Sequence, residues 1–280
     1  MDFDPLTEAF PTRTTREDEE QEAENNSDRL FDDPLICWSS KANNAFAPGA
    51  TGLETLIVAI GQPSCTLLHF AVHDKEVIGC LALPEISFEG ISSRPGPDEP
   101  TCYVYSTGPG ALRTAVVLCQ APVPPERSHA WAAALLRSVR PRRTVVLASA
   151  APGEAQVAGA DDAAVFALET DEWRRAAPRG RARPVQPLPS GSVVGGLPAK
   201  ILGLCQAKGW PACALLLRQP TPSPDASSVR ALHDALEALL KSRGELAGSV
   251  ELDGAQGLSA AFRHIEARQR CDGVTGSVYL

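Results

Sequence analysis

The sequence predicts an α/β domain, a three-layer sandwich with a mostly parallel or mixed central sheet and flanking helices. A helical segment at residues 198–208 is followed by an unbroken apolar run at residues 212–217. Similar runs of strand length occur at residues 55–60, 114–119 and 144–149. Continuous apolar runs are typical of strands that are covered on both faces, and the helices between them supply the cover.

The stretch at residues 193–218 contains the boundary signals of a helix, a turn and a strand. Pro198 occupies a first-turn position, where the missing N–H removes no helical hydrogen bond. Gly209 stands where a helix end needs a positive φ angle, so we expect the helix to end at Lys208. The apolar positions of this helix recur at helical spacing, namely Ile201, Leu202, Leu204 and Cys205.

Residues 1–33 form an acidic N-terminal arm. They contain twelve Asp or Glu and three Arg, so they carry a net charge of −9, while the remaining residues carry +1. The acidic run at residues 17–24 has no aromatic or β-branched side chain and too little apolar surface to offset the entropy of ordering. We therefore predict a disordered arm, with a role as an interaction arm as the alternative.

The domain that follows is predicted to span residues 34–270. After a lead-in segment rich in Pro, Gly and Asn, strands are predicted near residues 77–83 and 101–105, and their pairing stays open. A helix should begin near Ser128 and end before Pro141, with Trp131, Leu135 and Val139 on one apolar side. Together with its flanking strands it predicts a strand–helix–strand unit with a parallel crossover.

The segment at residues 150–191 is predicted to be a long surface insertion with one short element at residues 165–168. It contains several arginines mixed with Pro and Gly, but only Trp173 interleaves with them. Nucleic-acid binding normally combines basic groups with aromatic side chains for base stacking. We therefore predict no nucleic-acid partner.

Two helices are predicted near the C-terminus. The first is capped near Ser227 or Ser228, and its apolar stripe consists of Val229, Leu232, Leu236, Leu239 and Leu240. The second carries Leu258, Ala261, Phe262 and Ile265 at i, i+3, i+4 and i+7. Residues 271–280 are rich in glycine and small polar side chains, and we predict a flexible tail.

Composition points to a cytoplasmic protein, with a nuclear or endoplasmic-reticulum-associated pool left open. No apolar run reaches the ~20 residues of a membrane span, and the N-terminus has no secretory signal. The eight cysteines lie mostly in apolar runs without a CxxC pair, which predicts reduced core thiols.

No catalytic constellation is present in the sequence, so we predict a protein that is not an enzyme and needs no cofactor. Ser192 does not stand in a GxSxG elbow, and His69 and His73 have no third metal ligand nearby. The enzymatic alternative is a nucleotide- or nucleoside-handling protein that uses the Gly61 turn, since a strand followed by glycine is where α/β folds bind ligands. This turn lacks both GxGxxG and a Walker lysine, which favours a plain tight turn.

Three stretches of the chain resemble the proteasome assembly chaperone family. They are residues 56–61, residues 115–120 and, above all, Gly196–Gln206 (GLPAKILGLCQ) with the Pro211–Ala212 strand start. They occur in the family's order and approximate spacing, behind a similarly acidic arm. The resemblance covers about residues 53–148 and 193–280.

The resemblance implies a scaffold that acts by binding. It implies pairing with a related second chaperone, a proteasome assembly chaperone 2-like protein, as a heterodimer on the outer face of the α-ring of the proteasome core particle. Such chaperones promote correct ring formation, suppress off-pathway ring dimers and block premature capping by regulators.

Related chaperones end in a hydrophobic-Tyr-any tail that docks between neighbouring α subunits, and Val278, Tyr279 and Leu280 match that pattern. The resemblance implies that these three residues anchor the chain to the α-ring. The residue types suit this role, because a terminal carboxylate can pair with a lysine, tyrosine offers a rigid ring with a polar tip, and valine fills a small notch.

Overall fold

The computed structural model describes residues 31–45, 53–86, 96–107, 113–150, 164–177, 183–219, 225–243, 250 and 252–276. Most of the acidic arm and the last four residues lie outside this range. The predicted disorder of the arm and the predicted division into arm, domain and tail therefore stay predictions.

The described residues form one nine-stranded mixed sheet, which confirms the predicted α/β sandwich. The strands are β1 (Leu35–Trp38), β2 (Thr55–Ile60), β3 (Lys75–Ala82), β4 (Cys102–Thr107), β5 (Thr114–Cys119), β6 (Arg143–Ala150), β7 (Ala164–Glu169), β8 (Gln186–Pro187) and β9 (Ala212–Arg218). Their spatial order is β1-β3-β4-β5-β2-β6-β9-β7-β8.

The centre of the sheet is parallel and its flanks contain antiparallel pairs. Strands β5, β2, β6 and β9 run in one direction, and β2 lies between β5 and β6. The predicted crossover from β5 to β6 is therefore parallel but passes over β2. On one side β4, β3 and β1 continue as antiparallel neighbours, and on the other β7 pairs antiparallel with β9.

Seven helices lie within the described residues. They are α1 (Ser40–Ala45), α2 (Ser64–Ala71), α3 (Ser128–Val139), α4 (Asp171–Arg175), α5 (Gly196–Ala207), α6 (Ala226–Ser242) and α7 (Gln256–Gly276), with a 3₁₀ turn at Pro125–Arg127. Helices α3 and α5 supply apolar side chains to the core on one face of the sheet, and α2, α6 and α7 to the core on the other. The sheet is thus covered on both faces in its centre, as the apolar runs indicate.

Helix boundaries follow the local signals closely, with one correction. Helix α5 ends at Ala207, and Gly209 has a φ of 66°, as expected of a helix end. Helix α6 is capped by Asp225, whose side chain accepts a hydrogen bond from the Ser228 N–H at 2.8 Å, so the predicted cap at Ser227 or Ser228 is wrong. An aspartate is as good a cap as serine, and here the helix begins two or three residues earlier than predicted.

Three segments are more ordered than their sequences indicate. The lead-in after the arm contains β1 and α1, and the element expected at residues 165–168 is β7, paired inside the sheet rather than on the surface. Next to β7, Trp173 of α4 is only 1% exposed. Helix α7 continues to Gly276, into the segment predicted to be flexible, because the good helix formers of residues 266–270 carry it forward.

Two kinds of feature are absent from the part of the chain that the structure describes. No helix there is long and apolar enough to cross a membrane. No group of three or more His, Cys, Asp or Glu side chains there could hold a metal ion.

Candidate functional site

The predicted anchor residues, Val278, Tyr279 and Leu280, lie outside the described residues. The structure does describe helix α7, which leads directly to them and ends at Gly276. The geometry that bears on the candidate site is therefore the way in which α7 is held on the domain.

The start of α7 is fixed by Asp253. Its Oδ1 accepts a hydrogen bond from the Gln256 N–H at 3.1 Å, and its own N–H donates to the Ala71 carbonyl at the end of α2 at 2.8 Å. The His73 Nε2 lies 2.7 Å from Asp253 Oδ2. The hydrogen bonds from His73 and then from the helix backbone lower the pKa of the Asp253 carboxyl. Asp253 thus caps α7 and ties it to α2.

The first turn of α7 lies against the backbone of α2. A Cβ atom at Gly257 would stand 2.7 Å from the Phe70 carbonyl oxygen and 2.8 Å from the Ala71 Cα. Neither atom is the mobile end of a side chain, so only glycine permits this approach.

The middle of α7 buries an apolar face and stacks two rings at its side. Ala261 and Ile265 are fully or almost fully buried in the core beneath the helix. The Arg230 guanidinium of α6 lies 5.3 Å from the centre of the Phe262 ring, a cation–π contact. The Phe70 and His264 rings are 5.5 Å apart. Helix α7 is therefore packed against both α2 and α6.

A polar cluster, which we call the Asp98 clamp, joins the second half of α7 to the sheet. It consists of Asp98, Gln62, His264 and Arg268. The Gln62 amide donates to Asp98 Oδ1 at 2.9 Å, and Arg268 binds the same oxygen. The His264 Nε2 lies 3.0 Å from Asp98 Oδ2. One carboxylate therefore connects the turn after β2, the loop before β4 and α7.

Burial and neighbouring polar and charged groups shift two pKa values in and beside the Asp98 clamp. Burial acts to raise the pKa of the Asp98 carboxyl, but the contacts with His264, Gln62 and Arg268 outweigh it and lower that pKa. Burial lowers the pKa of His69 on α2 to about 4, and the charges of Lys75 and His264 act in the same direction. His69 is therefore neutral at physiological pH, while Asp98 is ionised.

This arrangement sets the direction in which α7 leaves the domain. The helix is about 30 Å long at 1.5 Å per residue, and it is held at its cap, along its buried face and at Arg268. From Arg268 it continues for about 12 Å to Gly276. A segment carried on such a helix starts from a fixed point, which lowers the entropy cost of placing it in a pocket.

The Gly61 turn, on which the enzymatic alternative rests, uses its polar groups within the protein. Gly61 has a φ of 64°, its N–H donates to the Cys119 carbonyl, and its own carbonyl accepts from the Cys65 N–H. The Gln62 side chain belongs to the Asp98 clamp, and its carbonyl accepts from the Ser149 hydroxyl at 3.1 Å. These partners describe a structural turn at the start of α2 and favour the plain-turn interpretation.

The two candidate histidine ligands do not share a helix. His69 lies on α2, whereas His73 follows the end of that helix and contacts Asp253. The i, i+4 spacing therefore does not place them on one helical face, which removes the geometry that such a metal pair requires.

A groove that the sequence did not indicate runs along α5, on the opposite face of the sheet from α7. Its volume is about 340 Å³, and its walls include Leu168, Leu188, Val194, Leu202 and Gln206. Val193, next to it in the chain, is 70% exposed. No local sequence pattern indicates this concave surface, because its walls come from β7, the segment before α5 and α5 itself.

No protein-family model matches the chain, and no curated protein matches it by sequence. Its fold is similar to those of several solved structures. PbaA of Pyrococcus furiosus, described as an archaeal homolog of proteasome-assembly chaperone, has a TM-score of 0.57 and 18% identity over 88% of this chain and 100% of PbaA. PbaB of Pyrococcus furiosus, described as an archaeal proteasome activator, has a TM-score of 0.54 and 14% identity over 87% and 99%.

A third similar structure is a protein with unknown function from Thermoplasma acidophilum. It has a TM-score of 0.55 and 14% identity over 88% of this chain and 100% of its own. At these identities the comparisons show a shared fold.

Proposed function

We propose that this chain is a proteasome assembly chaperone of the proteasome assembly chaperone 1 type, which acts by binding and not by catalysis. The observation that carries the proposal is the shared fold over the full length of PbaA, an archaeal homolog of proteasome-assembly chaperone. The resemblance at residues 196–206 supports it independently, because it rests on side chains and not on topology.

In this proposal the chain pairs with a proteasome assembly chaperone 2-like protein, and the heterodimer binds the α-ring of the core particle during assembly. Val278, Tyr279 and Leu280 enter a pocket between neighbouring α subunits. Tyr279 supplies most of the apolar contact, and the terminal carboxylate pairs with a cationic group of the pocket. Two tail-bearing chains held together raise the effective concentration of each tail, so neither needs high affinity alone.

Helix α7 contributes by presenting the tail from a fixed base. The Asp253 cap, the Gly257 contact with α2 and the Asp98 clamp hold the helix over most of its length. The sandwich then supplies the surfaces for the partner and the ring, and the tail supplies the anchor.

Native mass spectrometry tests whether the tail supplies the ring anchor while the sandwich supplies the partner surface. The full chain is co-expressed with the candidate partner and mixed with proteasome α-ring precursors, beside a variant that lacks residues 278–280. Ser277→Ala is the matched control, because it changes the tail next to the anchor without touching it. We expect the heterodimer to form in all three cases and to bind the ring only when the anchor is present.

Two outcomes would overturn the proposal in different ways. Loss of the heterodimer in the deletion variant would show that the tail serves pairing instead of ring binding. A full chain that neither pairs nor binds the ring would contradict the chaperone function itself. Thermal stabilisation by nucleotides in that case would support the enzymatic alternative at the Gly61 turn.

A further inference from the structure

Cys37 and Cys80 face each other across the edge of the sheet. They are directly opposed in the antiparallel pairing of β1 with β3, so both side chains project from the same face. Two residues further along, the Ser39 N–H donates to the Ile78 carbonyl at 2.8 Å, which places the cysteines in the same hydrogen-bonded register. Such pairs have Cα atoms about 5.5 Å apart, within the range that a disulfide spans.

The register of this pair is set by Trp38. A Cβ atom at Gly79 would stand 2.3 Å from Trp38 Cε3, so the indole ring lies directly on the glycine. A slip of one residue would move Trp38 onto a residue with a side chain and turn β1 over. The alignment of Cys37 with Cys80 therefore does not depend on the cysteines themselves.

The two thiols are accessible from solvent to different degrees. Cys37 is exposed and Cys80 is half-buried. Burial, and then the neighbouring Cys37, raise the pKa of the Cys80 thiol. Cys37 is thus the thiol that an oxidant reaches first, and Cys80 is placed to resolve it.

A second cysteine pair is buried and stands at a non-hydrogen-bonded position of its ladder, since the Cys119 carbonyl accepts from the Gly61 N–H after β2 and so faces away from β4. Cys102 of β4 and Cys119 of β5 are also directly opposed, but they are only 5% and 1% exposed. Burial holds the pKa of Cys102 well above its ordinary value. Reactivity of thiols follows thiolate character and access, so this pair is an internal comparison within the same molecule.

We propose that Cys37 and Cys80 are a redox modification site and form a reversible intramolecular disulfide when the folded protein meets hydrogen peroxide. The Cys37 thiolate attacks one peroxide oxygen, forms a sulfenic acid and releases hydroxide, which takes up a proton to become water. The Cys80 sulfur then attacks the sulfenic sulfur, forms the S–S bond and releases a second water. Two thiols are oxidised by two electrons and one peroxide is reduced; a dithiol reductant reverses the step by exchange.

The disulfide would secure the strand at one edge of the sheet. Strand β1 has only four residues and, within the described structure, pairs with β3 alone. A covalent link to β3 opposes local opening of this strand, from which the acidic arm extends. Oxidation would therefore change the mobility of the N-terminal edge without changing the rest of the fold.

Peptide mapping of the intact full chain tests the site. The folded protein is exposed to hydrogen peroxide, remaining thiols are alkylated, and the digest is examined by mass spectrometry with and without reductant. We expect a linked peptide pair that contains Cys37 and Cys80, lighter by about 2 Da than the sum of its reduced parts. Hydrogen exchange of the β1 amides should become at least about tenfold slower in the oxidised protein.

Three variants provide the controls. Cys80→Ser and Cys37→Ser should each abolish the linked peptide, and Cys37, being exposed, can be changed without disturbing the core. Cys271→Ser should leave the link unchanged, because that cysteine is remote in sequence from both strands. Circular dichroism before and after oxidation establishes that the chains stay folded.

Several results would overturn the proposal. Oxidation of Cys37 to sulfinic acid while Cys80 stays reduced would show that the pair cannot close. A link through Cys37 between two chains would show that the exposed thiol reacts outward. Formation of the Cys102–Cys119 link to the same extent would show that exposure does not select the site.

Discussion

A Cβ atom at Gly257 would stand 2.7 Å from the carbonyl oxygen of Phe70, so the C-terminal helix meets α2 at backbone distance. The two residues are far apart in the sequence, yet their contact fixes the start of the helix that leads to the proposed anchor. The close packing at Gly257 is therefore expected to affect both the stability of the protein and the position from which the tail leaves the domain.

We expect Gly257→Ala to lower the free energy of unfolding by about 1–3 kcal/mol, because the backbone of α2 cannot yield to the added methyl group. Gly203→Ala in α5 is the matched control. No atom lies within 4 Å of a Cβ at Gly203, so alanine should stabilise its helix by up to about 1 kcal/mol. Urea denaturation measures both, and the same sign for the two variants would contradict the close contact.

Stability should depend on pH through His69. The folded pKa of about 4 lies below the ordinary value of 6.5, so between these values the unfolded chain binds more protons. Stability is therefore expected to fall as the pH is lowered from 6.5 to 4. In this window His69→Gln should flatten the dependence of Tm on pH, whereas His129→Gln, at an exposed position of α3, should not. Parallel profiles for wild type and His69→Gln would exclude His69 as the source.

Arg127 should be a strong stabilising residue at the N-terminal edge of the domain. It is 5% exposed, its Nε donates to Glu85 Oε1 at 2.7 Å, and its guanidinium also binds the Asp32 carbonyl. We expect Arg127→Ala to cost about 2–3 kcal/mol, because it leaves Glu85 and a backbone carbonyl without their cation.

Limited proteolysis of the Arg127→Ala variant should also show faster cleavage around residue 32, where the carbonyl contact is lost. Arg174→Ala is the control, since Arg174 forms an exposed pair with Asp171 and should change stability by less than about 0.5 kcal/mol. If both variants lose the same free energy of unfolding, the buried position of Arg127 does not make its contacts more stabilising than an exposed ion pair.

The cap of α6 is formed by Asp225 and not by the serines that follow it, and two substitutions distinguish these residues. Asp225→Ala should destabilise the protein by about 1 kcal/mol, because the Ser228 N–H loses its acceptor. Ser227→Ala removes only a hydrogen bond to the Asp225 carboxylate and should cost less than half as much. Thermal denaturation of both variants shows which substitution lowers the stability more. A larger loss of stability in Ser227→Ala than in Asp225→Ala would mean that the serine is the cap.

Much of the fold could be predicted because its signals are local. The apolar run at residues 114–119 coincides with β5, and the helix predicted to begin near Ser128 and end before Pro141 is α3, Ser128–Val139. Continuous apolar runs predict buried strands whatever their neighbours are, and a helix end needs only its own cap residues. Strand β1 has the sequence LICW, an apolar run of only four residues directly after Pro34, which is too short to predict a strand by itself. Its residues alternate between exposed and half-buried positions, and only its pairing with β3 at the edge of the sheet makes it a strand.

The local patterns of the sequence are enough to predict an α/β sandwich, and they carry the resemblance from which the anchor at residues 278–280 is inferred. Which side chains meet depends on the tertiary structure. Asp98 joins Gln62, 36 residues away, to Arg268, 170 residues away, and Cys37 meets Cys80 across two strands. Hydrophobic periodicity specifies which face of an element is buried, but the order and register of the strands determine its neighbours, and these depend on packing of the whole chain.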